Sequence, residues 1–235
     1  MRVLLVSNST NAGEEYLGWP KQDIADFLGK DVKRVLFIPY AGVTMTYDEY
    51  EKKVQDKLGP YGYQIDSIHK YEEKRKAITE ADAIMIGGGN TFHLLRAIQQ
   101  LELVEYLRMK VLEGTPYVGW SAGSNVTCPT ICTTNDMPIV EPLSFSALNL
   151  VRFQINPHYL DAHPDGHGGE TREERIGEFL VANPDDYVVG LREGCYIKIE
   201  NGDVGLYGKK SMRVFKNGEE AYEIEPGGDI DFLFE

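Results

Sequence analysis

Residues 119–123, Gly-Trp-Ser-Ala-Gly, constrain the fold more than any other stretch of the chain. They follow Pro116-Tyr117-Val118, an apolar run that reads as a buried strand, and precede Ser124-Asn125-Val126, which can open a helix. A serine on a sharp strand-to-helix turn, with glycine two positions before and two after, is the nucleophile-elbow pattern. The turn is so tight that a side chain beside the serine would strike the neighbouring helix or strand, and glycine removes the collision. The Ser121 hydroxyl is left at the edge of the sheet, with the Ala122 amide aimed where an oxyanion would form. The competing reading is an ordinary strand-to-helix turn, and the pattern alone names no substrate.

The flanking sequence supplies the rest of such a sheet. Arg2–Val6, Val35–Ile38, Tyr63–Ile68 and Ala83–Ile86 are short apolar runs that read as strands. Between them lie helical patterns over Lys21–Leu28, Tyr47–Leu58, Phe92–Gln99 and Leu103–Leu112. Thr46 is a plausible N-cap for the second of these helices, and Gly59-Pro60 stops it. This alternation predicts an α/β fold, a mostly parallel sheet with helices on both faces. In such folds the site lies beyond the carboxyl ends of the strands, where the loops after Ile86 and Trp120 fall. From Tyr187 the pattern changes to short β runs punctuated by Glu193-Gly194, Asn201-Gly202 and Asn217-Gly218, which is hairpin chemistry. We expect one α/β domain over residues 1–235, with an antiparallel extension from about 187 to 235 packed on the main sheet.

Charge narrows the partners. With 37 acidic against 24 basic residues the chain carries −13, which disfavours nucleic acid and anionic membrane, since phosphate binding needs a basic surface. The three cysteines, Cys128, Cys132 and Cys195, form no C-x-x-C pair and suggest neither a disulfide framework nor zinc. Nothing in the pattern calls for a cofactor or a metal. The opening residues are too quickly polar for a signal peptide, and no run nears the roughly 20 apolar residues of a membrane helix. A cytoplasmic monomer or homodimer acting on a small molecule is the expectation.

An activated serine needs a base, and five histidines are available. His69 and His93 read as surface and packing residues. His158 follows Phe153-Gln154-Ile155-Asn156-Pro157 at the end of a later strand, so the fold itself could carry it to the elbow. The orienting carboxylate is less determined: Asp136 lies between serine and histidine in the chain and is slightly favoured over Asp161, Asp165 and Glu193. Gly87-Gly88-Gly89-Asn90 lacks the spacing of a P-loop or a dinucleotide site, and backbone amides there suit a second oxyanion donor. His163-Pro164-Asp165-Gly166-His167 has metal-like residues but reads as a surface loop. Thr171 and Glu174 form a capping box, so a helix begins there and runs to about Val181. Arg172 then sits in the first turn, where the macrodipole disfavours a cation. Either it pairs with Glu170 or Glu173, or it holds an anion.

Taken together these segments resemble peptidase E, the α-aspartyl dipeptidase family. The resemblance is carried by Ser7-Asn8-Ser9-Thr10, Pro39-Tyr40-Ala41-Gly42-Val43-Thr44, Gly87-Gly88-Gly89-Asn90-Thr91-Phe92, the elbow, Thr133-Thr134-Asn135-Asp136-Met137-Pro138-Ile139, Ile155-Asn156-Pro157-His158 and Gly169-Glu170-Thr171-Arg172. It runs in order to about residue 200 and thins across the C-terminal hairpins toward the tail, Gly227 to Glu235. It implies a fold similar to class I glutamine amidotransferases and a serine exopeptidase that removes N-terminal aspartate from Asp-Xaa dipeptides. By motif it makes Ser121 the nucleophile, His158 the base and Asp136 the orienting carboxylate, with Glu193 as the rival third member. It also implies Gly88, Gly89 and Ala122 as oxyanion amides and Arg172 as the ligand of the substrate's aspartyl carboxylate. The alternatives are a cyanophycinase-like hydrolase of β-aspartyl peptides on the same scaffold and a non-catalytic binder of acidic dipeptides. An amidotransferase proper is disfavoured, because serine, not cysteine, occupies the elbow.

Overall fold

The computed structural model describes residues 1–161 and 168–234. The segment with His163, Asp165 and His167, read from the sequence as a surface loop, therefore lies outside the described residues. The first half of the chain alternates as expected: β1 (Arg2–Val6), α1 (Lys21–Leu28), β2 (Arg34–Ile38), α2 (Tyr47–Leu58), β3 (Gln64–Ser67), α3 (Lys74–Thr79), β4 (Ala83–Ile86), α4 (Thr91–Gln100), α5 (Val104–Leu112) and β5 (Tyr117–Trp120). There follow the single turn α6 (Ala122–Asn125), β6 (Gln154–Pro157), α7 (Arg172–Ala182) and the strands β7 (Tyr187–Leu191), β8 (Cys195–Glu200), β9 (Asp203–Gly208), β10 (Met212–Lys216) and β11 (Tyr222–Ile224).

Local chemistry sets several of these boundaries. Thr46 and Glu49 form a reciprocal capping box at the start of α2, and Thr171 and Glu174 form another at α7, each satisfying two backbone N–H groups that a helix start leaves orphaned. The Asn90 side chain accepts from His93 N at 3.0 Å and caps α4. Apolar positions alternate between the two faces of the strands: one core lies under α3 to α6 and the other under α1 and α2. The sheet is thus covered on both sides, as a parallel sheet with near-continuous apolar strands requires.

The main sheet has the order β3-β2-β4-β5-β1-β8-β9, parallel from β3 to β1 and antiparallel where β8 and β9 join. The C-terminal hairpins do not form one extension. β8 and β9 lengthen the main sheet, whereas β10 and β11 join β7 and β6 in a second sheet of order β11-β10-β7-β6. Within that second sheet β6 and β7 are parallel, with Pro157 opposite Leu191. The tail closes as a short 3₁₀ turn, Asp231–Phe234, with Phe234 edge-on to Phe153 at 5.4 Å between ring centres. None of the described helices is long and apolar enough to cross a membrane.

Candidate active site

The elbow is built as its glycines require. A β-carbon on Gly119 would lie 2.3 Å from the Gly123 carbonyl oxygen, and one on Gly123 would lie 2.1 Å from that of Ile86. Two buried hydroxyls lock the turn: Tyr117 donates to Gly123 O at 2.5 Å, and Ser124 donates to Val6 O at 2.7 Å. Ser121 itself is held at φ +54°, a left-handed conformation rare for a residue with a side chain and kept only where the surroundings enforce it.

The end of β6 delivers the imidazole. His158, also left-handed at φ +54°, places Nε2 2.9 Å from Ser121 Oγ. Its Nδ1 lies 2.7 Å from Glu193 Oε1. The register explains the meeting: β6 and β7 are parallel neighbours with Pro157 beside Leu191, so the residues just past each strand end emerge at the same edge. Serine, histidine and glutamate therefore form one continuous hydrogen-bonded relay.

Asp136, the carboxylate favoured from chain order, does not meet His158. One of its oxygens accepts from Thr91 N at 2.7 Å, Thr91 Oγ1 at 2.6 Å and Thr134 Oγ1 at 3.1 Å. It sits at the N-terminus of α4, where free N–H groups and the helix dipole stabilise a carboxylate. The imidazole nitrogen it would have oriented is already taken by Glu193. Of its other rivals, Asp161 is bound to Arg192 and Asp165 lies outside the described residues.

Two buried polar residues that sequence reasoning passed over hold this relay in place. Ser7, at the end of β1, donates to Leu191 O at 2.7 Å and accepts from His158 N at 3.0 Å, so one hydroxyl ties the main sheet to the second. Asn8 accepts from Gly194 N at 2.9 Å and fixes the turn that carries Glu193. Both are fully buried, and buried polar atoms carry such bonds almost without exception. The signal in the sequence was a polar pair directly after an apolar strand, within a block already noted as family-like.

His69 and His93 take no part. His69 Nδ1 lies 2.6 Å from Ser67 Oγ, and His93 Nδ1 lies 2.6 Å from the Tyr40 carbonyl oxygen. Across the elbow, the amides of Gly88, Gly89 and Ala122 donate no hydrogen bond among the described residues. Gly88 lies against the nucleophile, since a β-carbon there would come within 3.0 Å of Ser121 Cβ.

Arg172 does not pair with its helix neighbours. Glu173 instead accepts from Arg213 at 3.1 Å, and Arg175 faces Glu170 at 3.7 Å. The half-buried Arg172 guanidinium has no hydrogen bond or ion pair among the described residues. Burial, and next the adjacent Arg175 charge, hold its pKa below the usual arginine value, against the pull of Asp136.

The turn bearing Glu193 is anchored by its neighbour. Arg192, with a side chain 11% exposed, donates to Asp161 at 2.9 Å, to Glu223 at 2.7 Å and to Ser211 O at 2.8 Å. The Arg192 guanidinium holds the Glu223 carboxyl at about 2 against an ordinary 4.5. A folded pKa below the unfolded one gives stability present above the unfolded value and lost as pH falls through the folded one. Melting temperature is therefore expected to fall as pH drops from about 4.5 to about 2, and Glu223→Gln to flatten part of that slope. Glu15, held at about 2 by Lys57 and Lys21, keeps its surface contribution of the same sign in the variant. Thermal melts across that window check this, and an unchanged slope in the variant refutes it.

An imidazole bridging an elbow serine and a carboxylate, at the carboxyl edge of a parallel sheet, defines a serine hydrolase of the α/β class. The chain belongs to peptidase family S51, whose family model matches residues 3–207. It is 54% identical to a Nostoc protein named Peptidase E over 234 residues, covering 100% of this chain and 97% of the relative. It is 47% identical to Peptidase E of Salmonella typhimurium over 227 residues, covering 97% of this chain and 99% of that one. Its fold is shared with the crystal structure of a peptidase from an acI-B1 Actinobacterium at a TM-score of 0.72, with 16% identity over 97% of this chain and 96% of that one.

Proposed function

We propose that this chain is a cytoplasmic serine exopeptidase that removes N-terminal aspartate from Asp-Xaa dipeptides by way of an acyl-enzyme on Ser121. The observation that carries the reading is the relay from Glu193 through His158 to Ser121, at 2.7 and 2.9 Å. His158 Nε2 takes the Ser121 proton as the oxygen attacks the aspartyl carbonyl, and Glu193 stabilises the imidazolium that results. The amides of Ala122, Gly88 and Gly89 face the developing oxyanion. His158 then protonates the leaving amine, water repeats the sequence, and free aspartate departs.

Substrate choice rests on Arg172. A half-buried guanidinium with no ion pair among the described residues, in the first turn of α7, suits a carboxylate, which both the guanidinium and the helix N–H groups attract. The Peptidase E name of the relatives agrees with an aspartyl substrate. The charge of −13 disfavours nucleic acid and anionic membrane as partners and leaves room for a locally cationic pocket. A monomer or homodimer is the proposed working unit.

A dipeptide panel tests the reading. Asp-Leu is expected to exceed Asn-Leu and β-linked Asp-Leu in kcat/KM, the Asn-Leu gap corresponding to about 2–5 kcal/mol for an unpaired guanidinium in a dry pocket. Arg172→Met is expected to erase most of that gap while leaving the melting temperature near that of the parent. Equal turnover of Asp-Leu and Asn-Leu by the parent would refute the aspartyl assignment, and preference for the β-linkage would point to the cyanophycinase-like activity.

A further inference from the structure

The peptide joining Gly88 to Gly89 is flanked by glycine on both sides, so its own backbone offers little resistance to flipping. Gly89 sits at φ +137°, and a β-carbon there would lie 2.1 Å from the Ala41 carbonyl oxygen. One side chain holds the plane of this peptide. Tyr50, buried in the first turn of α2, donates its hydroxyl to Gly88 O at 2.8 Å. Room for the Tyr50 ring exists only because its neighbours lack side chains: a β-carbon on Gly87 would lie 2.4 Å from the tyrosine oxygen, and one on Gly42 would lie 2.9 Å from Cδ1. The ring is braced edge-on by Phe37 at 4.9 Å and by Tyr16 at 6.5 Å between centres.

Carbonyl and N–H point in opposite directions across a trans peptide, and the described chain has no cis peptide bond. Drawing Gly88 O into the core toward Tyr50 therefore turns the Gly89 N–H the other way, away from Tyr50, on a peptide whose Gly89 end is exposed and whose Gly88 end lies against the half-buried Ser121. We propose that Tyr50 is a positioning residue for the reaction: its hydroxyl sets the orientation of the Gly88–Gly89 peptide, and so the aim of an oxyanion-stabilising amide. In the flipped state a carbonyl oxygen would face the oxyanion and repel it. Burial raises the Tyr50 hydroxyl to about 12, so it remains a neutral donor at every pH at which a histidine base works.

The inference rests on Ser121 acting as a nucleophile but not on the aspartyl substrate, and the test separates the two. Tyr50→Phe and, as a control in the same buried cluster, Tyr16→Phe are compared with the parent in Asp-Leu kinetics and in the rate of Ser121 labelling by a fluorophosphonate. Labelling also develops charge on an oxygen in the oxyanion pocket and needs no dipeptide. Removing an oxyanion donor outright costs about 10²–10³ in kcat, so loss of its aim is expected to cost about 10- to 100-fold. Tyr50→Phe should lose this in both kcat and labelling rate with KM changed by less than about twofold, while Tyr16→Phe stays within about twofold of the parent on all counts. Parent-like labelling by Tyr50→Phe overturns the inference, as does an equal loss in both variants, which would mark disturbed packing. A parent enzyme that labels at Ser121 but leaves Asp-Leu intact refutes the dipeptide reading alone, and the labelling comparison still decides the role of Tyr50.

Discussion

Ser121→Ala is expected to lower kcat for Asp-Leu by about 10⁴-fold or more, because an alanine leaves only the amides and substrate binding to catalyse attack by water. The fold should survive. The residue is the linker between β5 and α6, its backbone N–H bonds to Val6 O at 3.0 Å whatever the side chain, and among the described residues the hydroxyl bonds only to His158. Substrate affinity should hold, since Arg172 is untouched. The variant should thus bind Asp-Leu without turning it over, which calorimetry with the inactive protein can measure. Turnover at the parent rate would remove the elbow from the mechanism.

The second large effect separates two carboxylates. Glu193→Gln is expected to lower kcat by about 10³–10⁴-fold, because the neutral amide neither stabilises an imidazolium nor enforces the tautomer that leaves Nε2 free to accept the serine proton. Asp136→Asn is expected to act differently. Its carboxylate caps the start of α4 through Thr91 N at 2.7 Å and Thr91 Oγ1 at 2.6 Å. Losing a cap costs about 0.5–2 kcal/mol of stability, and the Asp136 charge also lies in the field of Arg172. The melting temperature and KM should move more than kcat. Side-by-side kinetics and melts of the two variants decide the matter, and a larger kcat loss in Asp136→Asn would return that residue to the relay.

The third member was ambiguous in the sequence for a definable reason. Asp136 lies between Ser121 and His158 in the chain, which gives a familiar order, but order says nothing of which strand ends lie side by side. The run Tyr187–Leu191 reads as a hairpin strand from its turn residues, and on that reading it has no reason to stand beside β6. In the structure the two are parallel neighbours in a sheet of their own, which puts Glu193 at the edge where His158 emerges. The same pairing explains why Ser7 and Asn8 were not legible. A buried hydroxyl that serves two sheets shows in sequence only as a polar residue after a strand.

Local rules determined much on their own. The elbow glycines, the Thr46 cap of α2, the capping box of α7 and the alternating first half follow from sterics and hydrogen bonding within a few residues, so spacing reveals them. So does the misplaced charge of Arg172, since a helix start can be read from Thr171 and Glu174. What only the tertiary structure decided is which distant groups meet: Glu193 on His158, Asp136 on α4, Tyr50 beneath Gly88. Those meetings depend on strand order and sheet partition, and these follow from burial of the whole apolar surface, a property no short window of sequence contains.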